Sequence, residues 1–165
     1  MADNILHDLF SALQSCGAMI AVAESCTGGQ LAARITAQSG ASAIFERGYV
    51  TYTNQAKQDC LGVPSAMLDK HGAVSLEVAE AMAQGAVQNS NAQIAISTTG
   101  IAGPDGGTAE KPVGIVCFGF AIKNGDSGAV KHLFTGERST IQKQAVDFAI
   151  KLASQTLHEK VINAS

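Results

Sequence analysis

No tryptophan occurs in this chain, and only two tyrosines and six phenylalanines are spread over its 165 residues. Aromatic stacking platforms for single-stranded nucleic acid would have to be built from very little. An excess of positive charge is missing too. Lysine and arginine number 11 against 14 aspartates and glutamates, a net charge of −3 with no run of like charges, so counterion release offers no route to a nucleic-acid partner. The longest apolar runs, residues 18–23 and 115–122, fall far short of the roughly 18 residues needed to cross a bilayer. The first ten residues hold Asp3 and Asp8 and no lysine or arginine, the wrong charge for a secretory signal. A cytoplasmic protein without a membrane partner is expected. Its four cysteines, Cys16, Cys26, Cys60 and Cys117, form no CxxC pair and none neighbours a histidine. Neither a disulfide framework nor a structural zinc site is indicated, and no metal is expected.

What the chain has in quantity is core-building material. Hydrophobic residues make up 46% and charged residues 15%, too apolar for disorder, and the length suits a single domain over residues 1–165. Ile5, Leu6, Leu9, Phe10 and Leu13 recur at helical spacing through residues 3–16, and Gly17 is placed to end that helix. Residues 18–23 are a continuous apolar run, the pattern of a strand buried on both faces. They empty into Glu24-Ser25-Cys26-Thr27-Gly28-Gly29, after which Leu31 and Ile35 mark a helix over 30–37. Its N-terminus, with free N–H groups and a positive dipole end, points back at that turn. Residues 48–53 alternate as a half-buried strand, with Asn54 as the expected cap of a short helix bearing Lys57. Ser75 is placed to cap a helix over 76–88 striped by Val78, Met82, Ala86 and Val87. A strand over 93–98 follows. Strands over 113–123 and 129–135 meet across Asn124-Gly125, a hairpin signal, and a long helix over 139–158 closes the chain. Alternating helices and strands with one late antiparallel pair predict a layered α/β domain with a mixed β-sheet.

Two segments carry more than folding demands. The Glu24–Gly29 turn would lie at the carboxyl end of a strand, where α/β sheets bind ligands. Read alone, either Ser25 and Thr27 cap the next helix and Cys26 is a small buried hydrophobe, or the turn is a site. The second segment runs from Thr98 and Thr99 to Gly107, and four of the nine residues from Thr99 are glycine. Glycines there let backbone N–H groups approach an anion, although neither a Walker A loop nor a GxGxxG fingerprint is present. Lys57 and Arg138 taken alone read as solvated charges. Tyr49 and Tyr52, three apart on a strand, point to opposite faces, one to pack and one toward a site. His7, His71, His132 and His158 stand in no HExxH or triad motif.

Four segments in order carry a resemblance: Ala23-Glu24-Ser25-Cys26-Thr27-Gly28-Gly29, Gly48-Tyr49-Val50-Thr51-Tyr52-Thr53-Asn54-Gln55-Ala56-Lys57, His71-Gly72-Ala73-Val74-Ser75, and Thr98-Thr99-Gly100-Ile101-Ala102-Gly103-Pro104-Asp105-Gly106-Gly107 with Lys111-Pro112-Val113-Gly114. From about residue 6 to 157 the chain resembles the CinA C-terminal domain family, and more narrowly its stand-alone nicotinamide-nucleotide amidohydrolases. The resemblance implies a three-layer α/β/α sandwich with a mixed β-sheet, and a homodimer. It implies hydrolysis of the carboxamide of nicotinamide mononucleotide to nicotinic acid mononucleotide and ammonia, within pyridine-nucleotide recycling and without a cofactor. It further implies a serine–lysine mechanism whose nucleophile and base fall on Ser25 and Lys57. The chain departs from the family pattern at Glu137, where many relatives have aspartate, and at Gln142-Lys143, which replace a more arginine-rich pair.

The chemistry agrees with that assignment. An amide is a poor electrophile, so its hydrolysis needs an activated hydroxyl, a base and donors for the developing oxyanion. N–H groups around Cys26, Thr27, Gly28 and Gly29, following Glu24, are the expected oxyanion donors. Thr98, Thr99, Gly100 and Gly103 with Arg138 are expected at the ribose phosphate, and Tyr52 and Asn54 at the ring. Two other classes stand beside this one: a nucleotide-binding regulatory module in which Ser25 only caps a helix, and a cysteine amidohydrolase working through Cys26.

Overall fold

The apolar run after Gly17 forms strand β1, Ile20–Glu24, buried at all five positions. In the computed structural model, which describes residues 2–164, Ile20 and Val22 join one core cluster while Ala21 and Ala23 join a second on the other face. This is why the run does not alternate in polarity: both faces of β1 are covered. It runs parallel to β2 (Phe45–Val50) on one side and β3 (Ile94–Gly100) on the other. Strands β4 (Ile115–Ile122) and β5 (Ser127–Leu133) extend the sheet antiparallel, in the order β2-β1-β3-β4-β5. Asn124 adopts φ 56° in the turn between them, and Gly125 N–H donates to Ile122 O, as a tight hairpin requires.

Helices α1 (Ala2–Ser15), α2 (Gln30–Thr36) and α6 (Arg138–Leu157) lie on one face. Helices α3 (Asn54–Leu61), α4 (Ser65–His71) and α5 (Leu76–Gln88) lie on the other. The α/β/α sandwich with a mixed sheet is thus observed. The first face is filled by Leu9, Leu13, Leu31, Ile35, Ile94, Ile96 and Phe118; the second is lined largely with alanine, at 21, 23, 83, 86, 92, 95 and 121. Small side chains there let α5 lie close on the sheet. A Cβ at Gly119 would stand 2.0 Å from Ala79 O, and Ser97 Oγ donates to that same oxygen while accepting from Gly119 N–H.

Several boundaries differ from the sequence reading. Strand β2 ends at Val50 rather than reaching residue 53, so Tyr52 leaves the strand and is 58% exposed while Tyr49 stays on it and packs beside the second cluster. The cap of α3 is Thr53, whose Oγ1 accepts from Ala56 N–H, and the expected cap Asn54 is the first helical residue. Helix α4 had no counterpart in the sequence reading, because seven residues with one buried apolar side chain, Leu68, show no periodicity.

Candidate active site

The strand order places the parallel strands β1 and β3 side by side where the chain direction of the connections reverses, the position at which open α/β sheets form a crevice beyond their carboxyl ends. Ser25 is the first residue past β1. Its N–H donates to Thr98 O on β3, and Thr51 N–H, just past β2, donates to Glu24 O. The nucleophile candidate is therefore held from both neighbouring strands. Gly28 and Gly29 follow with φ 54° and 99°, conformations that let the chain turn at once into α2.

Lys57 sits on the inner face of α3 one turn before Leu61, and only 1% of it is exposed. Its Nζ lies 2.9 Å from Ser25 Oγ, 2.9 Å from Thr51 O and 3.3 Å from Tyr52 O. No carboxylate pairs with it among the described residues. Burial pulls the amine below the ordinary lysine range, since a desolvated ammonium without a counter-charge is unfavourable. A neutral amine has two N–H donors and one lone pair. Two carbonyls and one hydroxyl are what surrounds Nζ. Ser25, 8% exposed, accepts from Lys57 Nζ, and its own hydroxyl lies 3.5 Å from Tyr52 O.

The neighbouring residues divide into those that build the turn and those that face outward. Glu24 is fully buried, and its carboxylate accepts from Leu31 N–H, Ala32 N–H and Thr27 Oγ1 at 2.8, 3.0 and 2.6 Å. The N-terminus of α2 is therefore capped by Glu24 from within. Neither Ser25 nor Thr27 caps it, and its first amides are not open to a ligand. Thr27 Oγ1 also meets Thr98 Oγ1 at 2.8 Å, and Thr99 Oγ1 donates to Ala73 O, so these three hydroxyls are engaged inside the protein. Cys26 is 6% exposed, within the first core cluster, and burial pushes its thiol up to about 12. A thiol held protonated is a poor nucleophile.

Arg138, the first residue of α6, donates from Nη1 to Gly103 O at 2.8 Å and from Nη2 to Tyr52 Oη at 3.1 Å. It joins the glycine-rich loop to the segment that receives Lys57. Both acceptors are neutral and no acidic side chain pairs with it among the described residues, so its charge stays available to an anion. Gly100 ends β3, and Asn54 is exposed at the start of α3. Sequence reasoning missed the carbonyls of Thr51 and Tyr52, since a backbone acceptor has no signal in residue type. It named Gln142 only as a departure from the family pattern and missed its contact, in which Nε2 donates to Cys26 O from α6. A 360 Å³ cleft between α2 and α6 is lined by Gln30, Arg34, Lys143, Val146 and Asp147 and includes neither Ser25 nor Lys57. Among the described residues no three His, Cys, Asp or Glu side chains group as metal ligands, and no helix is long and apolar enough to cross a membrane.

A buried lysine against a serine hydroxyl at the carboxyl end of a parallel strand marks the candidate site of this α/β protein. Comparison with known proteins narrows the class. The CinA C-terminal domain profile matches residues 2–157, and the chain belongs to that family. It is 46% identical over 157 residues to the nicotinamide-nucleotide amidohydrolase PncC of Enterobacter agglomerans, covering 93% of this chain and 96% of that one. It is 48% identical over 140 residues to the PncC of Escherichia coli strain K12, covering 85% of each. The crystal structure of the competence/damage inducible protein CihA from Agrobacterium tumefaciens superposes with a TM-score of 0.91 at 39% identity, over 95% of both chains.

Proposed function

We propose that this chain is a nicotinamide-nucleotide amidohydrolase that converts nicotinamide mononucleotide to nicotinic acid mononucleotide and ammonia, with Ser25 as nucleophile and Lys57 as base. The observation that carries the reading is the buried Lys57 Nζ, 2.9 Å from Ser25 Oγ and without a carboxylate partner. The sequence likeness to proteins named for this activity supports the substrate.

In this reading Ser25 Oγ attacks the carboxamide carbon while its proton passes to Lys57 Nζ. The tetrahedral intermediate places its negative oxygen against the N–H groups of the turn after β1. Lys57 then returns the proton to the leaving nitrogen, and ammonia departs. Water attacks the resulting ester, Lys57 again taking its proton, and nicotinic acid mononucleotide leaves with Ser25 restored. The cationic pyridinium of the substrate disfavours an ammonium nearby and so helps to keep Lys57 neutral. The exposed ring of Tyr52 offers its face to that cation, and Arg138 with the loop around Gly103 meets the phosphate. The reading also includes a homodimer in the cytoplasm, serving pyridine-nucleotide recycling.

Ammonia release from nicotinamide mononucleotide by the purified protein, and its loss by about 10³-fold or more in Ser25→Ala, is the test. Retained turnover in Ser25→Ala, or no ammonia from the wild-type protein, overturns the proposal.

A further inference from the structure

Hydrolysis of an amide needs a donor for the oxyanion, and the turn after β1 has few to give. Ser25 N–H is engaged by Thr98 O, and Gly28 N–H by Ser25 O. The amides of Cys26, Thr27 and Gly29 donate to no other residue's acceptor among the described residues, and of these three only Thr27 N–H shares its peptide with a carbonyl held by a side chain from outside the turn. Thr27 N–H belongs to the peptide whose carbonyl is Cys26 O, and that carbonyl accepts from Gln142 Nε2 at 3.1 Å across 116 positions of sequence. A carbonyl can only accept, which settles which end of the Gln142 amide faces it. The single cis bond among the described residues is Gly103-Pro104, so the Cys26–Thr27 peptide is trans and its C=O and N–H point in opposite directions. Gln142, half-buried on α6, therefore holds the peptide by its carbonyl and sets the direction of the N–H at its other end. A hydrogen bond to the carbonyl also polarises the amide and strengthens its N–H as a donor.

We propose that Gln142 is a positioning residue for amide hydrolysis, aiming Thr27 N–H as the oxyanion donor. This rests on the amidohydrolase reading above. No hydrogen bond joins Gln142 to Ser25 or Lys57 among the described residues, so its effect reaches the reaction through the peptide it holds. The clamp depends on a side-chain donor at this position, not on glutamine as such.

The experiment compares wild-type protein, Gln142→Met, which keeps the side-chain length and removes the donor, and Gln142→Lys, which restores one. Turnover of nicotinamide mononucleotide is measured across pH beside thermal stability. In a second arm Ser25 is labelled by a fluorophosphonate, in which Oγ displaces fluoride at phosphorus and the phosphoryl oxygen takes the oxyanion position. For Gln142→Met the expected result is a kcat about 10- to 100-fold lower with KM, thermal midpoint and the rising limb of the pH profile unchanged, and a proportionate loss of labelling rate. Gln142→Lys should recover most of both. Wild-type kcat in Gln142→Met, a change confined to KM, a shifted pH limb, or no recovery in Gln142→Lys would each overturn the proposal. If the wild-type protein labels at Ser25 but releases no ammonia, the substrate assignment alone fails and the labelling ratio still decides the role of Gln142. No labelling of the wild-type protein overturns both.

Discussion

Replacing Lys57 by methionine keeps an unbranched side chain of similar length and removes the buried amine, and the stability difference between the two proteins should change with pH. In the unfolded chain the lysine binds its proton up to its ordinary value of 10.5, whereas in the folded protein burial lowers that value. Between the two, the unfolded state holds more protons, so the wild-type protein gains stability as pH rises, by up to about 1.36 kcal/mol per pH unit. Below the lowered folded value both states are protonated and the full penalty of burying the charge remains; above 10.5 it is gone. The methionine variant has no such term. Set against this is a pH-independent loss, because Nζ serves Ser25 Oγ, Thr51 O and Tyr52 O, worth about 1 kcal/mol per bond or roughly 3 kcal/mol in all. The variant should therefore compare best with wild type at low pH and fall steadily behind across the window. Urea unfolding of both proteins from pH 6 to 10 reads this directly, and wild-type kcat should rise with pH through the same lowered value as the base becomes neutral. A difference in stability that does not move with pH would mean that Lys57 titrates as an ordinary lysine in the folded state, and the assignment of it as base would fall.

Cys26→Ala should keep most of the activity, at a cost of about 1 kcal/mol for the small cavity, because the thiol is buried and protonated; inactivation of a folded Cys26→Ala protein would favour a cysteine nucleophile. Glu24→Ala removes the acceptor of two helix amides and the Thr27 hydroxyl and should destabilise the fold by about 3 kcal/mol or more, read as a lowered urea midpoint; an unchanged midpoint refutes its role as the cap of α2. Arg138→Ala should slow turnover of the mononucleotide by about one to two powers of ten while leaving the riboside little affected. Equal proportional losses on both substrates would assign Arg138 to its ties with Gly103 and Tyr52 instead.

Much of the architecture was legible in the sequence because its signals are local. An apolar run covered on both faces announced β1, apolar residues at helical spacing announced α1, Asn124-Gly125 announced the hairpin, and Ser75 does accept from Val78 N–H at the start of α5. The Glu24–Gly29 turn and Lys57 were nameable for a different reason, since their residue types stand in segments that resemble a known family. Local pattern alone left Ser25 either a helix cap or part of a site, and read Lys57 as a solvated charge. The tertiary structure decided otherwise: the cap of α2 is the buried Glu24 carboxylate, and α3 turns Lys57 inward to meet the Ser25 hydroxyl from 32 residues away. Gln142 reaches Cys26 O only because α6 packs over α2 on the same face of the sheet. Residue type and periodicity set which faces are apolar. They carry no information on which backbone carbonyls and amides those faces bring together, and here such groups orient the lysine and the turn around it.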